Sequence, residues 1–554
     1  MKNDIEKRIR NKLDFLYGND ESIQQIHNIV EACGILPHET IEGGNKPILI
    51  AYGDHLHAPD EAPLQTLHRF AQKYLPGLIG AIHLLPFYPY TSDDGFSVVD
   101  FQAVNPSLGD WHDIGALRKD FPLMFDLVLN HVSVSSDWFQ RFLRDEVPYN
   151  RYFVTAEPAT DLSAVVRPRT HPLLTAFETA AGTRYVWTTF SADQVDLNYT
   201  NPEVLLEIIR ILLAYVQRGA YFIRLDAVAF LWKIPGTSCI HLPQTHAVIQ
   251  LLRDVLENAA PWVKLITETN VPHHENILYF GDGQNEAHLV YQFALPPLLL
   301  HTLYTGDATI LSHWSGSLQT PSTGTAFFNF TASHDGVGVR PVTDILSPPE
   351  IDHLLKTIQQ RQGHVSYRAN SDGTHNPYEL NCTYFDALAE PNEPLNQSVD
   401  RFMTSQAIML ALTGLPAIYL PSLFGAANWH DGVAETGRVR SINREKFVLS
   451  TLEDQFSEPE TRYASVFQRY ITLLKARASI TEFHPSTKER ILRLHPSIFA
   501  LQRGSLVMLH NVSQQTVSVR LQGNVQRVDV LSNSVFQQTV TLQPYQTRWL
   551  KVRI

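Results

Sequence analysis

Three acidic residues stand where the sequence could do chemistry. Asp226, Glu268 and Asp335 each lie at the carboxyl end of a short run of apolar residues, which is where an α/β barrel carries its catalytic groups. Two carboxylates about 5 to 5.5 Å apart can cleave a glycosidic bond with retention, one as nucleophile and one as general acid/base. A lone acid at a strand end is more often a helix cap or an ion-pair partner. The presence of three, with Arg224 and His334 beside two of them, favours a catalytic site.

Eight short apolar runs alternate with longer amphipathic stretches, and this rhythm is typical of βαβ units in a parallel sheet. Clear crossover helices are predicted over 204–216 and 245–256. Eight such units predict an α/β fold, a (β/α)8 TIM barrel. The predicted strands are Pro47–Tyr52, Ile79–Leu85, Leu123–Leu129, Tyr221–Asp226, Val263–Glu268, His288–Gln292, Phe327–Ser333 and Pro416–Leu420.

The remaining segments predict additions to this barrel. An N-terminal helical extension is expected over 1–45 and the catalytic barrel over 46–478. Two connections, 132–201 after the third strand and 336–401 after the seventh, are much longer than usual, and long loops in compact domains often carry function. The last residues, 479–554, alternate polar and apolar positions between Asn, Gln, Ser and Gly, which predicts a C-terminal β-sandwich.

Composition limits the possible partners. The chain has 554 residues, with 44 Lys and Arg against 56 Asp and Glu, and a net charge of -12, which argues against nucleic acid or an anionic membrane as partner. The three cysteines lack a C-x-x-C pattern, so neither a disulfide framework nor a zinc site is expected. The charged N-terminus is unlike a signal peptide, and no apolar stretch is long enough to cross a bilayer. We expect a cytoplasmic monomer or homodimer that acts on small molecules.

Four short motifs are similar to the conserved regions of the α-amylase superfamily. This resemblance covers nearly the whole chain and implies that Asp226 is the nucleophile, Glu268 the general acid/base and Asp335 the group that grips sugar hydroxyls. The motifs are Asp126-Leu-Val-Leu-Asn-His131, Arg224-Leu-Asp226, Thr267-Glu268 and Ser333-His334-Asp335.

Longer strings resemble the sucrose-phosphorylase branch of that superfamily. The resemblance implies a pocket for one glucosyl unit, closed by the pair Asp94 and Arg440, with Phe96 and Phe190 as an aromatic platform. It also implies inorganic phosphate as co-substrate, and no metal or cofactor is expected. The strings are His83-Leu-Leu-Pro-Phe-Tyr-Pro89, Asp94-Gly-Phe96, Arg167-Pro-Arg169, Gly236-Thr-Ser-Cys239, Phe293-Ala-Leu-Pro-Pro-Leu-Leu-Leu-His301 and Arg440-Ser-Ile-Asn-Arg444.

Three departures from the sucrose-phosphorylase pattern concern the acceptor side of the pocket. Phe230 replaces a tyrosine, Asn270 a histidine and Glu379 a glutamine. With the string Thr267-Glu-Thr-Asn-Val-Pro-His273, they make the chain most similar to the glucosylglycerate phosphorylases, which cleave 2-O-α-glucosyl-glycerate. Phosphorylases specific for sucrose, sucrose 6'-phosphate or glucosylglycerol remain alternatives.

A phosphorylase needs hydrogen-bond donors, positively charged ones above all, that favour phosphate over water. Arg169 is the first candidate and Tyr378 the second, and Arg169 is expected to serve the glycerate carboxylate in the other half-reaction as well. Arg224 is expected to keep Asp226 charged. His131 and His334 belong to the motifs, although buried histidines often serve packing alone.

Two other functions also fit the motifs. A hydrolase or transglucosidase of the same superfamily would pass the glucosyl group to water or to a sugar. A module without catalytic activity, of the kind that accompanies some membrane transporters, is the other alternative, and the intact set of three acids argues against it.

Overall fold

The computed structural model describes residues 2–35, 46–369, 374–485, 487–523 and 525–553. Its centre is a closed barrel in which eight parallel strands pair in chain order and the first also pairs with the eighth. The strands are β1 (Ile48–Ala51), β2 (Ala81–Leu84), β3 (Leu123–Val128), β4 (Ala220–Asp226), β5 (Lys264–Thr267), β6 (Leu289–Tyr291), β7 (Ala326–Asn329) and β8 (Leu415–Tyr419).

The barrel confirms the predicted fold, because each of the eight predicted runs overlaps one strand. These runs are nearly continuous in apolar residues since the strands are covered on both faces; every residue of β1, β2 and β3 is buried. The seventh run is longer than its strand. β7 ends at Asn329, so Asp335 lies on the loop beyond the strand end.

Helices surround the barrel. The helix Pro202–Gln217 begins where Asn201 accepts a hydrogen bond from the Glu203 backbone and Pro202 takes the first helical position, both favourable at an N-terminus. The helices between the strands and after β8 include Pro63–Tyr74, Trp111–Asp120, Pro202–Gln217, Pro243–Ala259, Leu295–Thr305, Thr309–Ser317, Leu395–Ala411, Leu449–Ser457 and Arg462–Ala478.

Two helices, Asn3–Tyr17 and Ile23–Cys33, precede β1. The first lies against a barrel helix, where Arg8 Nε and Lys12 Nζ contact the buried carboxylate of Asp254 at 2.8 and 2.7 Å. The predicted limits 1–45 for this extension remain a prediction, and residues 36–45 lie outside the described ranges.

Both long connections form small antiparallel sheets. The connection after β3 contains the helix Asp137–Leu143 and the strands His131–Ser133, Leu174–Thr179, Gly182–Trp187 and Gln194–Asp196. The connection after β7 contains the helices Pro348–Gln360 and Tyr384–Leu388 and a three-stranded sheet of Val337–Gly338, His375–Asn381 and His364–Ala369.

Two antiparallel sheets follow the last barrel helix and share one apolar core, in which Val519 and Val540 of the smaller sheet lie with Leu509 and Leu550 of the larger. This agrees with the predicted sandwich. The larger sheet contains Glu489–His495, Ile498–Arg503, Leu506–Asn511, Thr547–Val552, Arg527–Asp529 and Val535–Phe536, and the smaller contains Val517–Arg520 and Thr539–Leu542.

The remaining elements are short. Within the described residues, no helix combines the length and apolar character that crossing a membrane requires. The short elements are the paired strands Leu56–His57 and Phe447–Val448, the helices His273–Asn276, Leu420–Leu423 and His430–Thr436, and the 3-10 turns Asp93–Gly95, Tyr149–Arg151, Val228–Phe230, Ile277–Phe280, Arg340–Val342, Val439–Asn443 and Thr481–Phe483.

Candidate active site

A cavity opens at the carboxyl ends of the barrel strands, between the two long connections. All the site residues predicted from the sequence line it except Asp94 and Arg224. Arg224 is 1% exposed and contacts Asp226 from within the barrel. Side chains that are far apart in the chain therefore converge on one enclosed space.

Arg224 joins two neighbouring strands beneath the cavity. Asp126 on β3 lies beside Arg224 on β4, and Arg224 Nη1 donates to Asp126 Oδ1 at 2.5 Å and to Asp226 Oδ1 at 2.8 Å. Asp126 also contacts His83 Nε2 at 2.7 Å. Because Asp126 and His83 are fully buried, they hold the guanidinium in one orientation and thereby position Asp226.

Glu268 is held next to Asp226 by the backbone. Its Oε2 accepts a hydrogen bond from the Ala227 N–H at 2.9 Å and lies 3.9 Å from Arg224 Nη2. Ala227 has a φ of 47°, a left-handed conformation that is uncommon for a residue with a Cβ. The turn after β4 therefore brings the carboxylates of Asp226 and Glu268 to the same wall of the cavity.

Burial and neighbouring charges shift the pKa of both acids. Burial raises the pKa of Asp226 well above its usual range, and Glu268 adds to that rise. Arg224 favours the charged form of Asp226, as expected from the sequence, but burial outweighs it. Burial also raises the pKa of Glu268.

The two acids share their titration, because two charged carboxylates at close range repel each other. Asp226 contacts the Arg224 guanidinium at 2.8 Å, whereas Glu268 is 3.9 Å away. A single proton on the pair is therefore best placed on Glu268, with the negative charge on Asp226. That is the protonation state in which one acid can attack and the other can donate.

Asp335 lies across the cavity in contact with Arg440. Arg440 Nη1 is 2.9 Å from Asp335 Oδ1, and the same guanidinium binds Glu379 through Nε at 3.0 Å and Nη2 at 2.5 Å. Burial raises the pKa of Asp335, but the charges of His334 and Arg440 outweigh it and hold that pKa below the usual range. Burial lowers the pKa of His334 to about 3, so near pH 7 the charge comes from Arg440.

Asp94 forms an ion pair with a different arginine in the structure, and the joint role of Asp94 and Arg440 in closing the pocket stays a prediction. Asp94 forms its ion pair with Arg444, whose Nη1 contacts Asp94 Oδ2 and whose Nε donates to the His334 carbonyl at 2.8 Å. Arg440 lies within the 3-10 turn Val439–Asn443, and Arg444 directly follows that turn. Arg440 instead faces Glu379 and Asp335.

Aromatic rings line the cavity close to the acids. Phe96 stacks on His334 with ring centroids 4.7 Å apart and an interplanar angle of 5°, and its carbonyl lies 2.9 Å from His131 Nε2. Phe190 lies 5.2 Å from the His131 ring and 5.5 Å from Phe230. These rings form a rigid apolar surface beside the carboxylates.

Two predicted residues lie where the long connections face each other. The Arg169 guanidinium lies 5.3 Å from the Tyr378 ring centroid and 5.9 Å from that of Phe190.

Asn270 leaves its buried Oδ1 without a hydrogen bond in the described structure. It fits closely against Gly338, where an added Cβ would lie 2.5 Å from that oxygen.

Sequence reasoning missed several residues of the cavity wall. Arg340 and Arg368 come from the connection after β7, and Gln194 and Arg167 from the connection after β3. Arg167 stands in the quoted string Arg167-Pro-Arg169 and could have been found there. The others occur in no quoted motif, and arginines in long loops give little signal without a structure.

A buried cation ties the connection after β3 to the barrel. Lys233 Nζ lies 2.7 Å from Asp196 Oδ2 and 2.7 Å from Asn130 Oδ1, and all three residues are buried. Asp196 also accepts from Thr189. Sequence reasoning missed this lysine as well, although Asn130 lies inside the first motif.

One group in the described ranges has metal-like spacing, Asp110, His112 and Asp113. Its carboxylates already cap a helix: Asp110 accepts from the His112 and Asp113 backbone, and Asp113 accepts from the Asp110 N–H. The group therefore has a structural role that needs no ion.

Comparison with known proteins gives the family. The α-amylase catalytic-domain family matches residues 72–314. Glucosylglycerate phosphorylases of Allomeiothermus silvanus and Escherichia coli are 47% and 41% identical, each over 99% of this chain and 99% and 100% of the relative. The crystal structure of a sucrose 6F-phosphate phosphorylase from Thermoanaerobacter thermosaccharolyticum superposes with a TM-score of 0.75 at 24% identity, covering 90% of this chain and 98% of that one. The chain therefore belongs to the α-amylase superfamily, in its sucrose-phosphorylase branch, where it is most similar to the glucosylglycerate phosphorylases.

Proposed function

We propose that this enzyme is a retaining phosphorylase that cleaves 2-O-α-glucosyl-glycerate with inorganic phosphate, giving α-glucose 1-phosphate and glycerate. The observation that carries the proposal is the joint placement of Asp226 and Glu268 on one wall of a cavity that is also lined by arginines. The full-length similarity to glucosylglycerate phosphorylases supports the substrate.

In the first step Glu268 donates its proton to the glycosidic oxygen while an Asp226 oxygen attacks C1 of the glucosyl group. The C1–O bond breaks, glycerate leaves with the proton, and a β-glucosyl ester of Asp226 forms. Asp335 is placed to accept hydrogen bonds from sugar hydroxyls, because its contact with Arg440 keeps it ionised.

In the second step a phosphate oxygen attacks C1 from the side that glycerate left, and the ester bond to Asp226 breaks. Two inversions give net retention and α-glucose 1-phosphate. Phosphate is already anionic near pH 7, so Glu268 has less need to act as a base. Arg169, with Tyr378 against its guanidinium, is our candidate for binding phosphate in this step. It is also our candidate for binding the glycerate carboxylate in the other half-reaction, because a planar guanidinium can make paired hydrogen bonds to either anion.

The proposed pocket holds one glucosyl unit. Phe96 and His334 provide a flat surface for the sugar ring, and the ion pair of Asp94 with Arg444 takes the closing role that the sequence assigned to Asp94 and Arg440. Asn270 and Glu379 separate this chain from the sucrose phosphorylases, which supports glycerate over fructose as aglycone.

The test is to incubate the purified protein with α-glucose 1-phosphate and, in parallel, glycerate, glycerol, fructose or fructose 6-phosphate, and to measure phosphate release. Glycerate should give the highest kcat/KM. If fructose is the best acceptor, our interpretation of Asn270 and Glu379 is wrong. If glucose forms at the same rate with every acceptor and with none, the enzyme is a hydrolase.

A further inference from the structure

Several arginines of the cavity wall have no carboxylate within ion-pair distance in the described part of the chain. Arg167, Arg169, Arg340 and Arg368 all line it. Of these, only Arg340 has a carboxylate partner among the described residues, Glu275 Oε2 at 3.1 Å. An ordered cation that is partly removed from water and has no anion costs free energy unless a ligand supplies the missing charge.

These four arginines come from two different segments. Arg167 and Arg169 lie on the connection after β3, whereas Arg340 and Arg368 lie on the connection after β7. Arg368 is on the hairpin strand His364–Ala369, two positions beyond Ser366, which pairs with Glu379. The four guanidinium groups of the cavity wall are thus supplied by two different connections.

Arg340 and Arg368 are close enough for their charges to interact, but only Arg340 has a carboxylate partner among the described residues. The pKa of Arg368 is lowered, by burial first and then by the charge of Arg340. Arg340 is held by Glu275, whose Oε2 also lies 3.0 Å from His241 Nε2. Arg340 is therefore held by an ion pair, whereas Arg368 has no carboxylate within ion-pair distance among the described residues.

The aglycone of the proposed substrate carries two different groups that the pocket has to distinguish. In 2-O-glucosyl-glycerate the glycosidic oxygen is on C2, which bears a carboxylate on one side and a hydroxymethyl group on the other. A cation placed beside the carboxylate alone would recognise that group, and uncharged side chains could then contact the hydroxymethyl group. Phosphate has no such asymmetry.

Resting on the proposed function, we propose that Arg368, positioned beside Arg340, is a specificity-determining residue that binds the carboxylate of the aglycone, while phosphate is bound by Arg169 on the opposite connection. Arg169 still serves both anions, as under the proposed function, and Arg368 adds a contact that only the carboxylate uses.

The test compares Arg368→Met and Arg368→Lys with the unchanged enzyme, using α-glucose 1-phosphate as donor. Acceptors are glycerate and glycerol, which differ by the carboxylate alone. Loss of a charged hydrogen bond should lower kcat/KM for glycerate by about 10- to 100-fold relative to glycerol in Arg368→Met, with partial recovery in Arg368→Lys. In the phosphorolysis direction the KM for phosphate should change by less than about threefold. Arg490→Met, which alters an exposed arginine of the C-terminal sheet, is the matched control.

Three results would overturn the inference. If the ratio of glycerate to glycerol activity stays unchanged in Arg368→Met, Arg368 does not bind the carboxylate. An equal rise in the KM values for glycerate and phosphate indicates one shared anion site. If the unsubstituted enzyme uses glycerol or fructose as acceptor and does not use glycerate, the proposed function is contradicted, and this inference fails with it. The unsubstituted enzyme therefore distinguishes failure of the proposed function from failure of the Arg368 assignment.

Discussion

Glu268 accepts its only close backbone hydrogen bond in the described structure from Ala227, the residue that directly follows Asp226. The position of the acid/base candidate is thus set by the turn that ends the strand of the nucleophile candidate. Any movement of that turn shifts both carboxylates together, which keeps their relative geometry. A mechanism that needs two acids at a fixed separation benefits from this coupling.

Glu268→Gln should separate proton donation from nucleophilic attack. The amide oxygen can still accept from Ala227, but it cannot protonate a leaving group, so cleavage of glucosyl-glycerate should fall by about 10²- to 10⁴-fold. α-Glucosyl fluoride needs little protonation to leave, and steady-state release of fluoride should be much less affected. Comparable losses on both substrates would mean that Glu268 is not the acid.

The pH dependence of the first step should reflect the shared titration of Asp226 and Glu268, in which the last proton lies on Glu268. Asp226 must be ionised and Glu268 protonated, so kcat/KM for slow hydrolysis of glucosyl-glycerate without phosphate should rise as Asp226 loses its proton and fall as Glu268 loses its own. Because burial raises the pKa of Glu268, the falling limb should lie above the ordinary glutamate value of about 4.3. A falling limb that persists in Glu268→Gln would belong to another group.

Arg169→Ala should damage phosphorolysis more than hydrolysis. Removal of the guanidinium takes away a contact for phosphate, while water needs no cation, so the ratio of α-glucose 1-phosphate to glucose formed should fall by about tenfold or more. The control is Arg184→Ala on the same connection, at an exposed position. Equal losses of both products would refute the phosphate role.

The ion pair of Asp94 with Arg444 can be tested by a double-mutant cycle on kcat/KM. Asp94→Asn and Arg444→Met should be strongly non-additive, with a coupling free energy of about 1 to 3 kcal/mol, whereas Asp94→Asn combined with Arg440→Met should be additive within about 0.5 kcal/mol. A larger coupling to Arg440 would restore the pairing expected from the sequence.

Lys233→Met should destabilise the enzyme. The substitution leaves Asp196 as an uncompensated charge between the barrel and the connection after β3, at a cost of about 3 to 5 kcal/mol. Thermal unfolding should begin at a lower temperature. Lys356→Met removes the exposed pair with Asp352 and should leave the melting temperature nearly unchanged. Equal melting temperatures for both variants would contradict a structural role of Lys233.

The sequence was sufficient for the barrel because strands covered on both faces have a simple apolar pattern, and the acids at their ends fall into short motifs. It was insufficient where several residues compete for one partner. Arg440 and Arg444 are four residues apart, and their spacing does not tell which one faces Asp94. Arg340 and Arg368 were missed because their positions depend on the path of a long connection. Burial, which raises the pKa of Asp226 against the effect of Arg224, also requires the folded structure.

The central claim is that Asp226 and Glu268 act on one anomeric carbon in a double displacement. The most direct measurement is NMR of the glucose 1-phosphate formed from 2-O-α-glucosyl-glycerate and phosphate, whose anomeric configuration is fixed by the phosphate ester. We expect α-glucose 1-phosphate from the unchanged enzyme and none above background from Asp226→Asn. Formation of the β anomer, or undiminished turnover by Asp226→Asn, would contradict this account.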